Sequence, residues 1–317
     1  MTIILLLIGL GLIVLGADWL VDGASSIARK AGISEFVIGL TIVGFGTSCP
    51  ELVVSLTGAI QGNADISIGN VVGSNIFNAL FILGVTTVIM PVTMTSENRK
   101  RDIPITLGVT LLILCLGMGN SLFRIGASDN LTRIEGCMLL LVFAWYLYHC
   151  FKNDSGNHED HAMAKEIKLS VSILLVLAGL AGLVFGGDLF VKSATDAARK
   201  IGVSDKFIAI TVLAGGTSFP ELATCIVAAA KKKDQLALGN ILGSNVFNIL
   251  LILGCSSLIT PLSFAGMDIV DAIVLALSSL MLLIWAYTGR KCRIDRWEGL
   301  IMLLCFAAYY YHLFIKL

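Results

Sequence analysis

Two short segments of this sequence place a proline and a glutamate inside long apolar runs. The first reads GFGTSCPELVVS over residues 44–55, and the second reads AGGTSFPELATC over residues 214–225. Proline interrupts the hydrogen bonding of a helix, and an ionised carboxylate in an apolar medium needs water, a partner or a cation. Glu51 and Glu221 are therefore the first candidates for residues that do chemistry.

Neutral oxygen atoms surround both glutamates. The threonine and serine of each GTSxPE motif supply hydroxyls, and each proline leaves carbonyls one turn earlier without an N–H partner. No apolar run carries a lysine or arginine at mid-span that could pair with the glutamates, so each motif is an all-oxygen set of the kind that calcium prefers. In the other interpretation, each glutamate is protonated and hydrogen-bonds a neighbouring helix; the repetition of the motif favours a cation. The hydroxyls belong to Thr47, Ser48, Thr217 and Ser218.

A second duplicated motif follows each of the first. It reads GNVVGSNIFN over residues 69–78 and GNILGSNVFN over residues 239–248. In a helix its serine and its last asparagine are four residues apart and share a face, where their neutral oxygens suit sodium or a partly hydrated ion. Packing of small residues is the alternative for the Gly-Ser steps. The pairs are Ser74 with Asn78 and Ser244 with Asn248, while Asn70, Asn75, Asn240 and Asn245 are predicted to tie helices together.

The composition is that of an all-α polytopic membrane protein. Of 317 residues, 56% are hydrophobic and only 14% are charged, and the mean hydropathy is +0.89. Apolar runs of about 20 residues are long enough to cross a bilayer, and they lack the alternation of a transmembrane barrel. We predict ten transmembrane helices over residues 2–27, 33–60, 66–90, 103–118, 134–151, 169–191, 207–230, 236–259, 269–288 and 297–315.

The chain contains an internal repeat. Residues 16–84 align with residues 186–254 at a constant offset of 170, and by direct count 29 of 69 positions are identical. The sequence therefore divides into a first five-helix half (1–151, α-repeat about 39–84), a cytoplasmic linker (152–168) and a second half (169–317, α-repeat about 209–254). Because five is odd, the second half enters the membrane upside down, and such inverted-topology repeats are typical of secondary transporters.

The basic residues predict the orientation in the membrane. With both termini outside, the inside loops hold 15 lysines and arginines and the outside segments hold 7. The positive-inside rule therefore predicts an N-terminus and a C-terminus outside. The run 231–233 of three lysines is interpreted as a solvated anchor on the inside.

The paired GTSxPE and GSNxxN motifs resemble those of the calcium/cation antiporter superfamily, and in particular prokaryotic sodium/calcium exchangers, over essentially the full length. The resemblance implies a calcium site made by Glu51 and Glu221 and completed by backbone oxygens of Thr47 and Thr217. It implies one sodium site from Thr47, Ser48, Ser74 and the Gly44 carbonyl, and a symmetric one from Thr217, Ser218, Ser244 and the Ala214 carbonyl. Asn78 and Asn248 would line the middle, although some relatives have aspartate where this chain has Asn248.

The resemblance implies an antiporter with alternating access that exchanges calcium for sodium at a site where the two ions compete. We expect no enzyme activity, no cofactor, and no nucleic acid or nucleotide partner, since no Walker A sequence occurs. Its partners would be calcium, sodium and the lipid of the cell inner (plasma) membrane, and we expect it to function as a monomer. A proton/cation antiporter that uses the same glutamates, and a passive cation channel, remain as alternatives; no motif supports an intramembrane hydrolase.

Overall fold

The computed structural model describes residues 2–123, 129–154, 168–200, 215–288 and 292–316. Ala214, the first part of the predicted seventh span and most of the predicted linker lie outside these residues. The described helices are α1 Thr2–Ala31, α2 Glu35–Thr47, α3 Cys49–Ile60, α4 Ala64–Ile89, α5 Asn98–Ser121, α6 Arg133–Lys152, α7 Leu169–Lys200, α8 Phe219–Ala230, α9 Asp234–Ile259, α10 Ile269–Thr288 and α11 Arg296–Lys316. The described strands are β1 Val92–Thr93, β2 Asn130–Leu131, β3 Leu262–Ser263 and β4 Arg293–Ile294.

Eight of the described helices are long and apolar enough to cross a membrane, and α2 with α3 forms a ninth candidate that bends by 48°. Most bounds follow the predicted spans, but α1 and α7 end several residues later than predicted, and α5 extends beyond its predicted span at both ends. Outward-facing apolar side chains such as Leu141, Phe185 and Leu304 are exposed, as expected of a surface that meets lipid. The helices α4 and α9 are the most buried of the candidates and form the centre of the molecule.

Short turns separate several of these helices because glycine or a polar cap sits where the helix must end or begin. Gly32 follows α1 with φ +66°, and Gly62 follows α3 with φ +71°; glycine adopts this left-handed conformation without steric cost. Ser34 caps α2 by accepting a hydrogen bond from the Val37 N–H at 3.2 Å. In the second half Lys232 occupies the position equivalent to Gly62 and also has a positive φ, of 60°.

The long helices α1 and α7 pack against each other along their whole length through glycines spaced seven residues apart. A Cβ on Gly16 would lie 2.8 Å from the Gly179 carbonyl oxygen, and a Cβ on Gly9 would lie 2.8 Å from the Phe190 nitrogen. A Cβ on Gly23 would lie 2.7 Å from the Ser172 carbonyl oxygen. The contacts run in opposite directions along the two chains, so α1 and α7 are antiparallel and their backbones touch.

The helix α2 makes an equally close approach to α9 of the other half. A Cβ on Gly243 would lie 2.8 Å from the Leu40 Cα, and a Cβ on Gly239 would collide with the Phe36 carbonyl oxygen. Gly239 and Gly243 form a GxxxG pair, which lets two membrane helices come into backbone contact. The second helix of the bend, α3, packs on α4 of its own half and also on the C-terminal part of α9. This division decides which side chains meet at the bend.

Two small antiparallel ribbons join the two halves of the chain. In one ribbon β1 pairs with β4, and in the other β2 pairs with β3. The pairing is reciprocal, since each half contributes the strand after its third predicted span to one ribbon and the strand before its fifth to the other. The sequence analysis did not predict these two-residue strands.

Polar contacts accompany the β1–β4 ribbon. The Lys231 ammonium lies 2.7 Å from carboxylate oxygens of both Asp18 and Asp22, and Lys233 forms an ion pair with Glu35. The interpretation of the three lysines as a purely solvated anchor is therefore wrong for Lys231 and Lys233. Because their partners lie on α1 and α2, these lysines link the start of α9 to the first half.

Replacement of Gly16 tests the backbone contact between α1 and α7. We expect Gly16→Ala to destabilise the protein by about 1–3 kcal/mol, because the new methyl group collides with backbone atoms that cannot rotate away. Gly11 lies on the same helix with nothing within 4 Å of its Cβ position, so Gly11→Ala is the matched control. Thermal unfolding in detergent, followed by size-exclusion chromatography, measures both; equal midpoints would contradict the contact.

Candidate cation-binding site

The first GTSxPE motif bends the chain and begins a new helix at its glutamate. Ser48 leaves the helical conformation with φ −84° and ψ 6°, and α3 starts at Cys49 with Pro50 in its first turn. The Leu52 N–H gives the first backbone hydrogen bond of α3, to the Ser48 carbonyl at 3.1 Å. Glu51 therefore lies in the first turn of α3, where the positive end of the helix dipole favours a carboxylate.

The second motif repeats this geometry. Residues 215–218 form a turn, Ser218 has φ −92° and ψ 6°, and α8 starts at Phe219 with proline in its first turn. The Leu222 N–H donates to the Ser218 carbonyl at 3.1 Å. Glu221 occupies the same place in α8 as Glu51 does in α3. Thr217 lies half-buried in the turn.

The two motifs are bound to each other by reciprocal hydrogen bonds. The Ser48 hydroxyl donates to Glu221 Oε1 at 3.1 Å, and the Ser218 hydroxyl donates to Glu51 Oε1 at 3.0 Å. Both glutamates are 1% exposed. The structure thus brings together, in one buried site, two carboxylates that are 170 residues apart in the sequence.

Each glutamate keeps one oxygen without a partner. Within the described residues, Glu51 Oε2 and Glu221 Oε2 are buried and accept no hydrogen bond. Neither carboxylate forms an ion pair with a described lysine or arginine. A buried carboxylate of this kind requires a cation or a proton to offset its charge. The arrangement is therefore chemically suited to bind a cation between the two halves.

Two amide oxygens add to the unpartnered set. Asn78 and Asn248 are each 1% exposed, and the Oδ1 atom of each has no partner among the described residues. They lie in π-helical segments, Phe77–Ile82 of α4 and Phe247–Leu253 of α9, a local distortion that is frequent at functional sites. The helix α3 packs on the second segment and α8 on the first, so the segments that carry these amides lie against the helices that carry the glutamates.

The structure groups the serines differently from the sequence-based prediction. The Gly44 carbonyl oxygen accepts a hydrogen bond from the Ser244 hydroxyl at 3.4 Å, whereas Ser74 donates to Glu51 Oε1 at 3.5 Å. Ser244 therefore lies with Gly44, and Ser74 lies with Ser218. The physical reason is the packing of α2 on α9, which brings the start of each bent segment against the opposite half.

Asn240 belongs to the same neighbourhood, which the sequence analysis did not anticipate. Its Oδ1 atom accepts from the Thr47 hydroxyl at 3.1 Å and from the Ser244 hydroxyl at 3.5 Å, and its Nδ2 atom donates to the Cys225 sulfur at 3.3 Å. Asn70, its counterpart, donates to the Ser55 hydroxyl at 2.9 Å and to the Glu51 carbonyl at 3.1 Å. The duplication of this asparagine at the offset of 170 was the available signal.

No group of three or more histidine, cysteine, aspartate or glutamate side chains that could hold a metal occurs in the described part of the chain. Among the described residues, the candidate site holds two acids, and amides, hydroxyls and carbonyls supply the other oxygens. A set of this composition favours a hard cation over a soft transition metal. Of the predicted site residues, the Ala214 carbonyl alone lies outside the described residues.

The chain is similar to several known proteins over nearly its whole length. The model of the family described as "Sodium/calcium exchanger protein" matches residues 1–152 and 171–315. The putative antiporter CaxA of Alkalimonas amylolytica is 40% identical over 324 residues, and the sodium/calcium exchanger MaX1 of Methanosarcina acetivorans is 35% identical over 345 residues; each match covers 98% of both chains. The solved structure of the sodium-calcium exchanger NCX_Mj superposes with a TM-score of 0.84 at 32% identity, over 98% of both chains.

Amide replacement of the glutamates tests whether the site binds a cation. Glu51→Gln and Glu221→Gln keep the shape of the side chain and remove the charge, so we expect both variants to fold and to lose the rise in melting temperature that calcium causes in the wild type. Glu97 is exposed at the start of α5, so Glu97→Gln is the control. Retention of the calcium effect in either site variant would show that the carboxylates are not ligands.

Proposed function

This chain belongs to the sodium/calcium exchanger protein family, and we propose that it is a secondary active antiporter that exchanges calcium for sodium. The observation that carries this proposal is the set of four buried and unpartnered oxygens described above. Two come from carboxylates and two from amides, and each half of the chain supplies one of each kind. The name of the relative MaX1 points to the same pair of ions.

The proposed calcium site uses Glu51 and Glu221 as its charged ligands. Two carboxylates neutralise one divalent ion, which offsets the cost of removing its water. Backbone oxygens of Thr47 and Thr217, with the Asn78 and Asn248 amides lining the middle, would bring the number of oxygens toward the six to eight that calcium takes. The absence of a counter-charge on either glutamate among the described residues supports this assignment.

The proposed sodium sites flank the calcium site and cross between the halves. One set would consist of the Gly44 carbonyl, Thr47, Ser48, Glu221 and Ser244. The other set would consist of the Ala214 carbonyl, Thr217, Ser218, Glu51 and Ser74. This grouping replaces the one implied by the resemblance, and the neutral hydroxyls favour sodium, since a proton alone needs no such ligands.

Competition for the two carboxylates would couple the opposite fluxes. One calcium ion and two sodium ions offset the same charge, so one species must leave before the other binds. Alternating access then exposes the shared site to one side of the membrane at a time. No nucleotide or further cofactor is required by this mechanism, and one chain supplies every proposed ligand, which supports a functional monomer.

We infer ten transmembrane helices in two inverted five-helix halves, residues 1–151 and 169–317, joined by a cytoplasmic linker over residues 152–168. In a ten-span arrangement the loops of β1 and β4 fall on one side of the membrane and those of β2 and β3 on the other, as their pairing requires. The side of β1 and β4 also holds residues 99–101, 152, 168, 231–233, 293 and 296 of the basic set. It would face the cytoplasm, with both termini outside the plasma membrane.

Flux measurements with purified protein in liposomes test the exchange. With equal pH on both sides and the membrane potential clamped, we expect calcium uptake into sodium-loaded vesicles and none into sodium-free vesicles, because only sodium leaving the shared site drives uptake. The Glu51→Gln variant is the negative control. Uptake that requires a pH gradient instead would identify a proton/cation antiporter. Uptake that requires neither a sodium gradient nor a pH gradient would identify a passive channel.

Serine variants test the sodium sites. We expect Ser74→Ala and Ser244→Ala to weaken the dependence of flux on sodium by about fivefold or more and to change calcium affinity less, since each hydroxyl would contact sodium. Ser67 is a buried serine on the same helix as Ser74, and it donates to the Ser55 carbonyl at 2.6 Å. Ser67→Ala is therefore the matched control. Equal loss of sodium and calcium affinity in the site variants would assign the serines to packing.

A further inference from the structure

We propose that Asn75 is a positioning residue that turns the amide oxygen of Asn248 toward the transported cation. Asn75 lies on α4 and Asn248 on α9, so the action crosses between the halves. The inference rests on the proposed function, because it concerns the orientation of a ligand in the same site. It assigns a role in the site to Asn75, which would not contact the cation itself. From the duplicated motif alone, Asn75 is predicted only to hold helices together.

The orientation of Asn75 is fixed by a backbone carbonyl. Its Nδ2 atom donates to the carbonyl oxygen of Asn245 at 3.1 Å. A carbonyl oxygen can only accept, so the amide of Asn75 must present its nitrogen on this side. Its Oδ1 atom therefore faces away from this carbonyl. The need for a donor at the Asn245 carbonyl thus fixes the orientation of the Asn75 amide.

The orientation of Asn248 follows from that of Asn75. Asn248 Nδ2 donates to Asn75 Oδ1 at 2.9 Å. Since an oxygen acceptor faces it, Asn248 must present its nitrogen there, and its own oxygen points away. That oxygen, Oδ1, is buried and has no partner among the described residues. A chain of three amide groups thus ends in one oxygen that is free to bind a cation.

This orientation matters because the two ends of an asparagine side chain have opposite polarity and almost the same size. The oxygen end is a cation ligand, whereas the NH₂ end carries two donors and repels a cation. Asn75 and Asn248 are each 1% exposed, so water does not compensate for a wrong orientation. The affinity of the site for a cation therefore depends on which end of the Asn248 amide faces that cation.

Hydrogen bonds fix the amide orientation of Asn248 more firmly than that of its counterpart Asn78. Asn78 Nδ2 donates to Asn245 Oδ1 at 3.2 Å. This bond is the counterpart of the one from Asn248 Nδ2 to Asn75 Oδ1. In the described part of the chain, the Asn245 side chain shows no bond to a backbone carbonyl that would fix its own orientation in the same way. Among the described residues, a chain of bonds anchored on a backbone carbonyl is complete only from Asn245 through Asn75 to Asn248.

The same chain of bonds explains how position 248 accommodates an amide. A carboxylate there has no N–H to give to Asn75 Oδ1. Asn75 would then have to rotate and give up its bond to the Asn245 carbonyl. The pair Asn75 and Asn248 is therefore matched, and the choice of an uncharged ligand at the middle of the site is built into the neighbouring helix.

A double-mutant cycle tests the positioning. The variants are Asn75→Leu, Asn248→Ala and the double variant, with Asn75→Ala as a smaller replacement should the leucine variant fail to fold. Binding is measured in detergent as the rise in melting temperature on titration with calcium chloride, sodium chloride or manganese chloride, which needs no transport. We expect Asn75→Leu to lower the affinity for the bound cation by about tenfold.

The expected result is strong non-additivity. If Asn75 acts through Asn248, the double variant binds the cation no more weakly than Asn248→Ala alone, whereas independent structural effects multiply. Asn98 is an equally buried asparagine at the start of α5, so Asn98→Leu is the matched control, and we expect it to lower the melting temperature without changing the cation affinity. Affinity within twofold of wild type in the Asn75 variants, or effects that multiply in the cycle, would overturn the positioning.

The two proposals fail separately in this design. Wild-type protein that binds a cation with a non-additive cycle, yet takes up no calcium in exchange for sodium, would refute the proposed exchange and leave the positioning supported. Calcium-for-sodium exchange with an additive cycle would do the reverse. Wild-type protein that none of the three salts stabilises would refute both.

Discussion

Two buried carboxylates that form no ion pair with any described lysine or arginine are the constraint on which the rest of this structure depends. Glu51 and Glu221 each accept a hydrogen bond from a serine hydroxyl of the opposite half. The other carboxylate oxygen of each has no partner among the described residues. Like charges in a medium of low polarity repel strongly, so the contact between the halves is stable only when cations or protons offset them. In the proposed mechanism, cation binding at the site would therefore be coupled to association of the halves at their centre, as alternating access requires.

Glycine makes this coupling possible, because it lets helices of opposite halves meet at their backbones. Where α2 lies against α9, a Cβ on Gly239 or Gly243 would collide with backbone atoms of Phe36 or Leu40. The close approach brings the Gly44 carbonyl within reach of the Ser244 hydroxyl. A larger residue at either glycine would separate the helices, and the oxygens contributed by the two halves would no longer form one set.

The two halves differ most clearly in charge, at the end of the molecule that holds the β1–β4 ribbon. Lys231, which pairs with Asp18 and Asp22, replaces the glutamine found at position 61 of the first half. Lys232 occupies a left-handed position where the first half has Gly62. Cys225, which accepts a hydrogen bond from Asn240, replaces the serine found at position 55 of the first half. Duplication by itself would make the two ends of the molecule alike, and these replacements make them chemically different.

The sequence by itself determined the helical class, most span boundaries and the residues that carry the oxygens, because these follow from apolar run length, from proline and from a duplication read along one chain. It could not determine which serine joins which glutamate: the resemblance implied a set with Gly44 and Ser74, whereas in the structure Ser244 donates to the Gly44 carbonyl. It also left Asn75 and Asn240 as simple ties between helices. Periodicity along a helix reports neighbours three or four residues apart, whereas these contacts join residues about 170–200 apart. Only the packing of the two halves decides them, through α2 against α9 and α4 against α9.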